Sequence, residues 1–169
     1  MQQGKVIWLM GLAGSGKSTL GKALHDKVWQ TYKNVVFLDG DEMRELLGVG
    51  GYDKDSRISF GKKYFQFAKF LSNQGLIVIV SAIGMFNEIY EFNRANLSNY
   101  VEIYVKCDFD ELARRDKKGL YTGALSGDVK DVVGVDISFD EPQADFVIDN
   151  SLRDNLDKKV DEIYSFLKL

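Results

Sequence analysis

The residues with the plainest chemical purpose lie near the start of the chain, in Gly11-Leu-Ala-Gly-Ser-Gly-Lys17-Ser18-Thr19. Glycines at 11, 14 and 16 let successive backbone N–H groups turn inward around phosphate oxygens, and the N-terminus of a following helix adds partial positive charge. Lys17 reaches the outer phosphates and Ser18 ligates Mg²⁺. Ala13, Ser15 and Thr19 belong to the same nucleotide-binding loop. A ligand-free strand–helix turn would not require the Lys-Ser pair, so the stretch reads as a Walker A loop for a nucleoside triphosphate. A second cluster is Asp39-Gly40-Asp41 with Arg44 one turn on. Two carboxylates beside a phosphate loop can hold Mg²⁺ or accept a proton from an attacking hydroxyl. A structural alternative is an Asp-Gly turn in which Asp41 caps a short helix over Glu42–Leu47. Arg44 would face the same crevice and bind an anion bidentately, or else be a solvated helix residue.

These groups need a scaffold, and the apolar pattern supplies one. Five near-continuous apolar runs read as strands: Val6–Met10, Val35–Leu38, Leu76–Ser81, Val101–Val105 and Phe146–Ile148. Continuous rather than alternating character suits a parallel sheet covered on both faces. Helical patterns occupy Lys17–Tyr32, Arg57–Asn73, Asn87–Asn96, Asp110–Arg115 and Leu152–Leu167, the last with Ser151 and Asp154 as a capping box. The expectation is a three-layer α/β P-loop NTPase fold with a central, mainly parallel five-stranded sheet, all within a single domain over 1–169. In such a sheet the ligand crevice lies at the carboxyl ends of the strands, where both clusters fall. The segment from about 116 to 143 is rich in Gly and charge and has no strong period, which suits an irregular lid, with a solvated surface loop as the alternative.

With 22 basic against 25 acidic residues and no Lys/Arg stripe, a nucleic-acid partner is not expected. The one cysteine, Cys107, excludes an internal disulfide and reads as a buried structural thiol. His25, without a sequence-local partner, reads as surface. The apolar run from Leu76 to Ile83 is too short to span a bilayer, and the N-terminal run leads into the phosphate loop rather than a cleavage site. A cytoplasmic protein with no membrane partner is expected.

The order GLAGSGKST, LDGDEMR at 38–44, RRDKKGLY at 114–121 and Phe139-Asp-Glu-Pro142 resembles the adenylylsulfate kinase family over nearly the whole chain. That resemblance implies a homodimeric enzyme that uses ATP and Mg²⁺ to phosphorylate a nucleotide's ribose 3′-hydroxyl. It implies Asp41 as catalytic aspartate, with Lys17 on the phosphates and Ser18 and Asp41 on the metal. It also implies Arg44 and Arg57 as substrate arginines and Tyr52 in place of a base-stacking phenylalanine. Phe60 stands in the acceptor pocket where the family has asparagine. Arg115, Lys118, Gly119 and Leu120 match the lid over ATP and substrate, Arg115 on the ATP side.

Departures from the family pattern cluster on the acceptor side. After the third strand the family reads Ser-Pro-Tyr-Arg with a further arginine three residues on, whereas this chain has Gly84-Met85-Phe86-Asn87 and then Tyr90. A second stacking aromatic aligns with Val132, while Arg94 persists in register. Charge-assisted hydrogen bonds contribute about 1.5–3 kcal/mol each and base stacking about 1–3 kcal/mol, so a sulfate-tuned, purine-tuned pocket would weaken greatly. Kept machinery with a remodelled acceptor pocket is similar to the branch of the family that acts on cytidine diphosphoramidate in capsule phosphoramidate synthesis. An ordinary adenylylsulfate kinase and a non-catalytic nucleotide-binding regulator are the alternatives, with gluconate- or shikimate-type kinases weaker because RDKKGLY would go unexplained.

Overall fold

The computed structural model describes residues 4–169. The strands are β1 (Lys5–Met10), β2 (Val35–Asp39), β3 (Ile77–Ser81), β4 (Tyr100–Lys106) and β5 (Phe146–Asp149). They pair in parallel throughout, in the order β2-β3-β1-β4-β5, with Trp8 beside Val80 on one side and Glu102 on the other. The helices are α1 (Lys17–Thr31), α2 (Gly40–Leu46), α3 (Lys54–Ser72), α4 (Asn87–Asn96), α5 (Phe109–Arg115), α6 (Leu120–Ser126) and α7 (Leu156–Leu167).

Side-chain alternation along β1 divides the core in two. Val6, Trp8 and Met10 join Val78 and Val80 beneath Phe65 and Ala68 of α3 and Ile89 of α4. Ile7 and Leu9 join Ile77, Ile79, Ile103 and Val105 beneath Leu20, Leu24 and Val28 of α1 and Val160 and Ile163 of α7. Helices on both faces leave no polar side to the sheet, which is why its strands read as unbroken apolar runs. Trp8 is wholly buried, packs edge-on to Phe65 at 4.8 Å and donates its indole N–H to the Ala82 carbonyl at 3.0 Å.

Several local expectations are corrected. The last helix starts at Leu156, behind Asn155 at φ 50°, and Ser151 forms no capping box. Its hydroxyl instead accepts from the Asp108 amide at 3.0 Å, tying two loops together. α3 begins a turn earlier than Arg57 because Asp53 caps it through the Ser56 amide at 3.0 Å. The lid segment is not irregular throughout: a single 3-10 turn at Lys117–Gly119 leads into α6. Cys107 lies just past β4 and is only half-buried, though burial still pushes its thiol up and keeps it protonated. His25 has local partners after all, Asp26 at 3.0 Å and the Trp29 ring at 6.0 Å. None of the described helices is long and apolar enough to cross a membrane.

Candidate active site

The phosphate loop joins β1 to α1 and is shaped by its glycines and by side chains behind it. Gly14 and Gly16 have φ of 80° and 101°, and a Cβ at Gly16 would lie 2.3 Å from the Asn150 amide nitrogen. Asn150 Nδ2 donates to the Ser15 carbonyl at 2.7 Å, Arg115 to the Gly14 carbonyl at 3.1 Å and the Tyr121 hydroxyl to the Ala13 carbonyl at 2.7 Å. With carbonyls drawn backward, the N–H groups of the loop are left for an anion on the other side. Lys17 is buried and its ammonium donates to the Leu12 carbonyl at 3.0 Å, over the loop. Thr19 is exposed on the first turn of α1.

At the end of β2, Asp39 rather than Asp41 caps the next helix, accepting from the amides of Asp41 at 3.0 Å and Glu42 at 3.5 Å. Its other oxygen accepts a short hydrogen bond from Ser18, and Ser81 at the end of β3 lies 3.2 Å from the same serine hydroxyl. Ser18, Asp39 and Ser81 thus converge beside the loop, whereas Asp41 is exposed on the first turn of α2. Of the two aspartates that the sequence leaves open beside Ser18, it is Asp39, at the end of the strand, that meets the serine.

A cleft of about 760 Å³ opens in front of these groups. It brings together Ala13, Lys17, Ser18, Asp41, Arg44, Tyr52, Arg57, Phe60, Lys118 and Leu120 of the residues expected from sequence. Arg44 is buried, donates to the Gly51 carbonyl at 3.0 Å and is flanked by the rings of Phe60 at 4.4 Å and Tyr52 at 4.9 Å. Arg57 reaches the carbonyls of Tyr52 at 2.5 Å and Asp131 at 2.9 Å, with its guanidinium 5.3 Å from the Tyr52 ring. Burial and then the charge of Arg44 lower the affinity of Arg57 for its proton. Two neighbouring guanidinium groups whose hydrogen bonds go to carbonyls form a site that an anion would stabilise.

The segment that follows α5 borders the cleft and begins in a strained turn. Asp116, Lys118 and Gly119 have φ of 36°, 60° and 67°. The turn is held by the Asp116 carboxylate, which accepts from the amides of Tyr121 at 2.9 Å and Thr122 at 3.1 Å and from the Thr122 hydroxyl. Those bonds hold the carboxyl of Asp116 below the usual range. Lys118 and Leu120 line the cleft; Gly119 supplies the left-handed step between them.

Two of the positions singled out in the sequence, Arg115 and Val132, are not among the residues lining this cleft. Arg115 does not face the cleft: its buried guanidinium binds Glu111 at 2.7 Å and the carbonyls of Gly14, Asn150 and Ser151. It braces the loop from behind. Val132, aligned with a stacking aromatic, is 2% exposed and packs in the core, while Val129, Lys130 and Asp131 form the wall there. Arg94, itself exposed, pairs with the buried Glu102 carboxylate at 2.5 Å and is not among the residues lining the cleft. Tyr90 is buried, its hydroxyl bonded to the Asp140 carbonyl at 3.0 Å, and the Asn87 amide donates to the Asp140 carboxylate at 2.9 Å. Asn150 and Tyr121 were missed from sequence; Asn150 directly follows β5, so the strand-end rule that found Asp39 could have found it.

A parallel sheet with a glycine loop after its central strand β1 and carboxylates at the end of β2, both bordering one cleft, defines a P-loop kinase. The chain belongs to the adenylylsulphate kinase family, whose sequence model matches residues 3–149. It is 57% identical over 164 residues to the cytidine diphosphoramidate kinase of Campylobacter jejuni subsp. jejuni serotype O:2, covering 97% of this chain and 96% of that one. It is 32% identical over 169 residues to the adenylyl-sulfate kinase of Clostridium acetobutylicum, covering 99% and 84%. The solved structure of the Mycobacterium tuberculosis APS kinase in complex with AMPPNP and APS matches with a TM-score of 0.90 at 26% identity, covering 100% of both chains.

Proposed function

We propose that this kinase transfers a phosphoryl group from ATP to the ribose 3′-hydroxyl of cytidine diphosphoramidate. The observation that carries the choice of acceptor is an uncharged stretch in the lining of the cleft that holds Arg44 and Arg57. It is formed by Ala82, Ile83 and Gly84, and followed by Asn87 and Tyr90 where adenylylsulfate kinases carry arginines. A less anionic terminal group needs fewer cations. The 57% likeness to a cytidine diphosphoramidate kinase supports the same reading.

Ser18, Asp39 and Ser81 offer only hard oxygen donors at one point beside the loop, which fits Mg²⁺. Among the described residues no group of three His, Cys, Asp or Glu side chains could hold a metal. Ser18 and Asp39 would hold Mg²⁺ when ATP is bound. At that place a divalent cation would supply positive charge to offset that of the phosphates. The loop amides and Lys17 would bind the triphosphate, Lys17 exchanging the Leu12 carbonyl for a phosphate oxygen. Asp41 would orient the 3′-hydroxyl and take its proton. Arg44 and Arg57 would hold the acceptor's phosphates, with the half-exposed ring of Tyr52 as the platform for its base. Closure of Lys118–Leu120 would exclude water that otherwise hydrolyses ATP. A cytoplasmic homodimer is the form expected from the family pattern, checked by light scattering.

The test is purified protein with MgATP and either cytidine diphosphoramidate or adenylylsulfate, following ADP release and the 3′-phosphorylated product. Preference for the cytidine compound is expected. Preference for adenylylsulfate would replace this reading with an ordinary adenylylsulfate kinase.

A further inference from the structure

Tyr64 belongs to none of the motifs, yet its side chain lines the cleft while remaining 2% exposed. Its hydroxyl is one of four buried side-chain polar atoms, among the described residues, that have no hydrogen-bond partner. The others are accounted for: Ser15 Oγ lies within the phosphate loop, and Asn93 and Glu102 already bond through their remaining polar atoms to Tyr100 and Arg94. Only Tyr64 sets its unmet capacity in the wall of the cleft. An unpaired buried hydroxyl is costly, and phenylalanine would fill the same space without that cost. A tyrosine here is explained by a partner that arrives with a ligand.

The ring is held in place from the acceptor side. It stacks on Phe60 at 5.5 Å and 18°, and Phe60 in turn carries Arg44 on its face at 4.4 Å. Phe65 closes the flank at 6.0 Å. Burial, with the nearby carboxylates of Asp39 and Glu42, pushes the hydroxyl's ionisation well up, so it stays a neutral O–H that can both donate and accept. An arginine can only donate. A neutral hydroxyl suits a terminal group that carries N–H as well as oxygen.

We propose that the Tyr64 hydroxyl is a specificity contact that hydrogen-bonds the terminal group of the acceptor nucleotide. The proposal rests on the acceptor-binding role assigned to the cleft above. Its test is Tyr64→Phe in steady-state kinetics with MgATP, using cytidine diphosphoramidate and adenylylsulfate as separate acceptors. The KM for the acceptor should rise about three- to tenfold, the loss of one neutral hydrogen bond, with kcat and the KM for ATP within about twofold. The melting temperature should hold or rise, since a purely structural tyrosine would instead lower it. An unchanged acceptor KM overturns the proposal. If the wild-type protein prefers adenylylsulfate, the assigned acceptor is wrong, and the effect of Tyr64→Phe on that KM still decides the contact: a rise supports it and no change overturns it. Wild-type turnover of neither compound overturns both.

Discussion

The two halves of the cleft are held together in different ways. On the phosphate-loop side, Asn150, Arg115 and Tyr121 reach from distant parts of the chain to grip three consecutive carbonyls, and Asn150 and Arg115 are bonded in turn. Asn150, for example, accepts from the buried Lys159 ammonium at 3.0 Å. On the acceptor side, order comes from a stack of Tyr52, Arg44, Phe60 and Tyr64, with guanidinium groups bonded only to carbonyls. In the first half the loop's carbonyls already have partners within the protein. The second is left with charge and a hydroxyl that a ligand must satisfy, so this half is where relatives with the same fold can diverge in substrate.

Substitutions on each side should separate these roles. The largest effect is expected from Asp41→Ala, which should cut turnover by about a thousandfold as a positioned base is lost. ATP binding, read by calorimetry, should persist; near-normal turnover would remove Asp41 from the chemistry. Arg57→Ala comes next. Loss of a charge-assisted contact of about 1.5–3 kcal/mol should raise the acceptor KM by about ten- to a hundredfold while leaving ATP affinity in place. Asn150→Ala should do the reverse, weakening ATP about tenfold by freeing the Ser15 carbonyl and removing one of the partners of Lys159, with the acceptor KM steady. If Asn150→Ala acted chiefly on the acceptor, the division into halves would fail.

The smallest effect concerns pH. Hydrogen bonds from Arg114 and then Arg115 lower Glu111 from 4.5 to about 2 in the folded chain. A depressed carboxyl contributes stability that is fully present above its unfolded value near 4.5 and is lost as pH falls through about 2. Glu111→Gln should therefore flatten the fall in melting temperature between those values relative to wild type. Asp53, Asp116 and Asp149 are lowered too and will contribute a shared acid limb, so the difference between the two proteins is the quantity to read.

Much of the fold was legible from the apolar runs, because strands buried on both faces have little freedom in composition. Lys17, Ser18, Asp41, Arg44 and Arg57 were legible because their spacing repeats a known pattern. Asp39 was read as interchangeable with Asp41, since two carboxylates in one turn differ only in where the strand stops. Val132 was misread for a related reason: alignment counts positions, whereas the turn stabilised by Asp136, which accepts from the Val132 amide at 2.6 Å, rotates that side chain into the core. Gly84 gained a reason it lacked, because a Cβ there would approach Trp8 to 3.1 Å and Ile89 to 3.3 Å.

The sequence by itself determined a parallel α/β sheet, a phosphate loop at its centre and a carboxylate-arginine cluster beside it, because burial pattern and motif spacing are local properties. Tertiary structure alone decided which aspartate faces Ser18, that Arg115 supports the loop instead of entering the cleft, and that Tyr64 holds an unspent hydroxyl in its wall. Those outcomes depend on contacts between residues far apart in the chain, such as Arg115 with Gly14, and no spacing along the sequence encodes the direction a side chain takes once the core has closed around it.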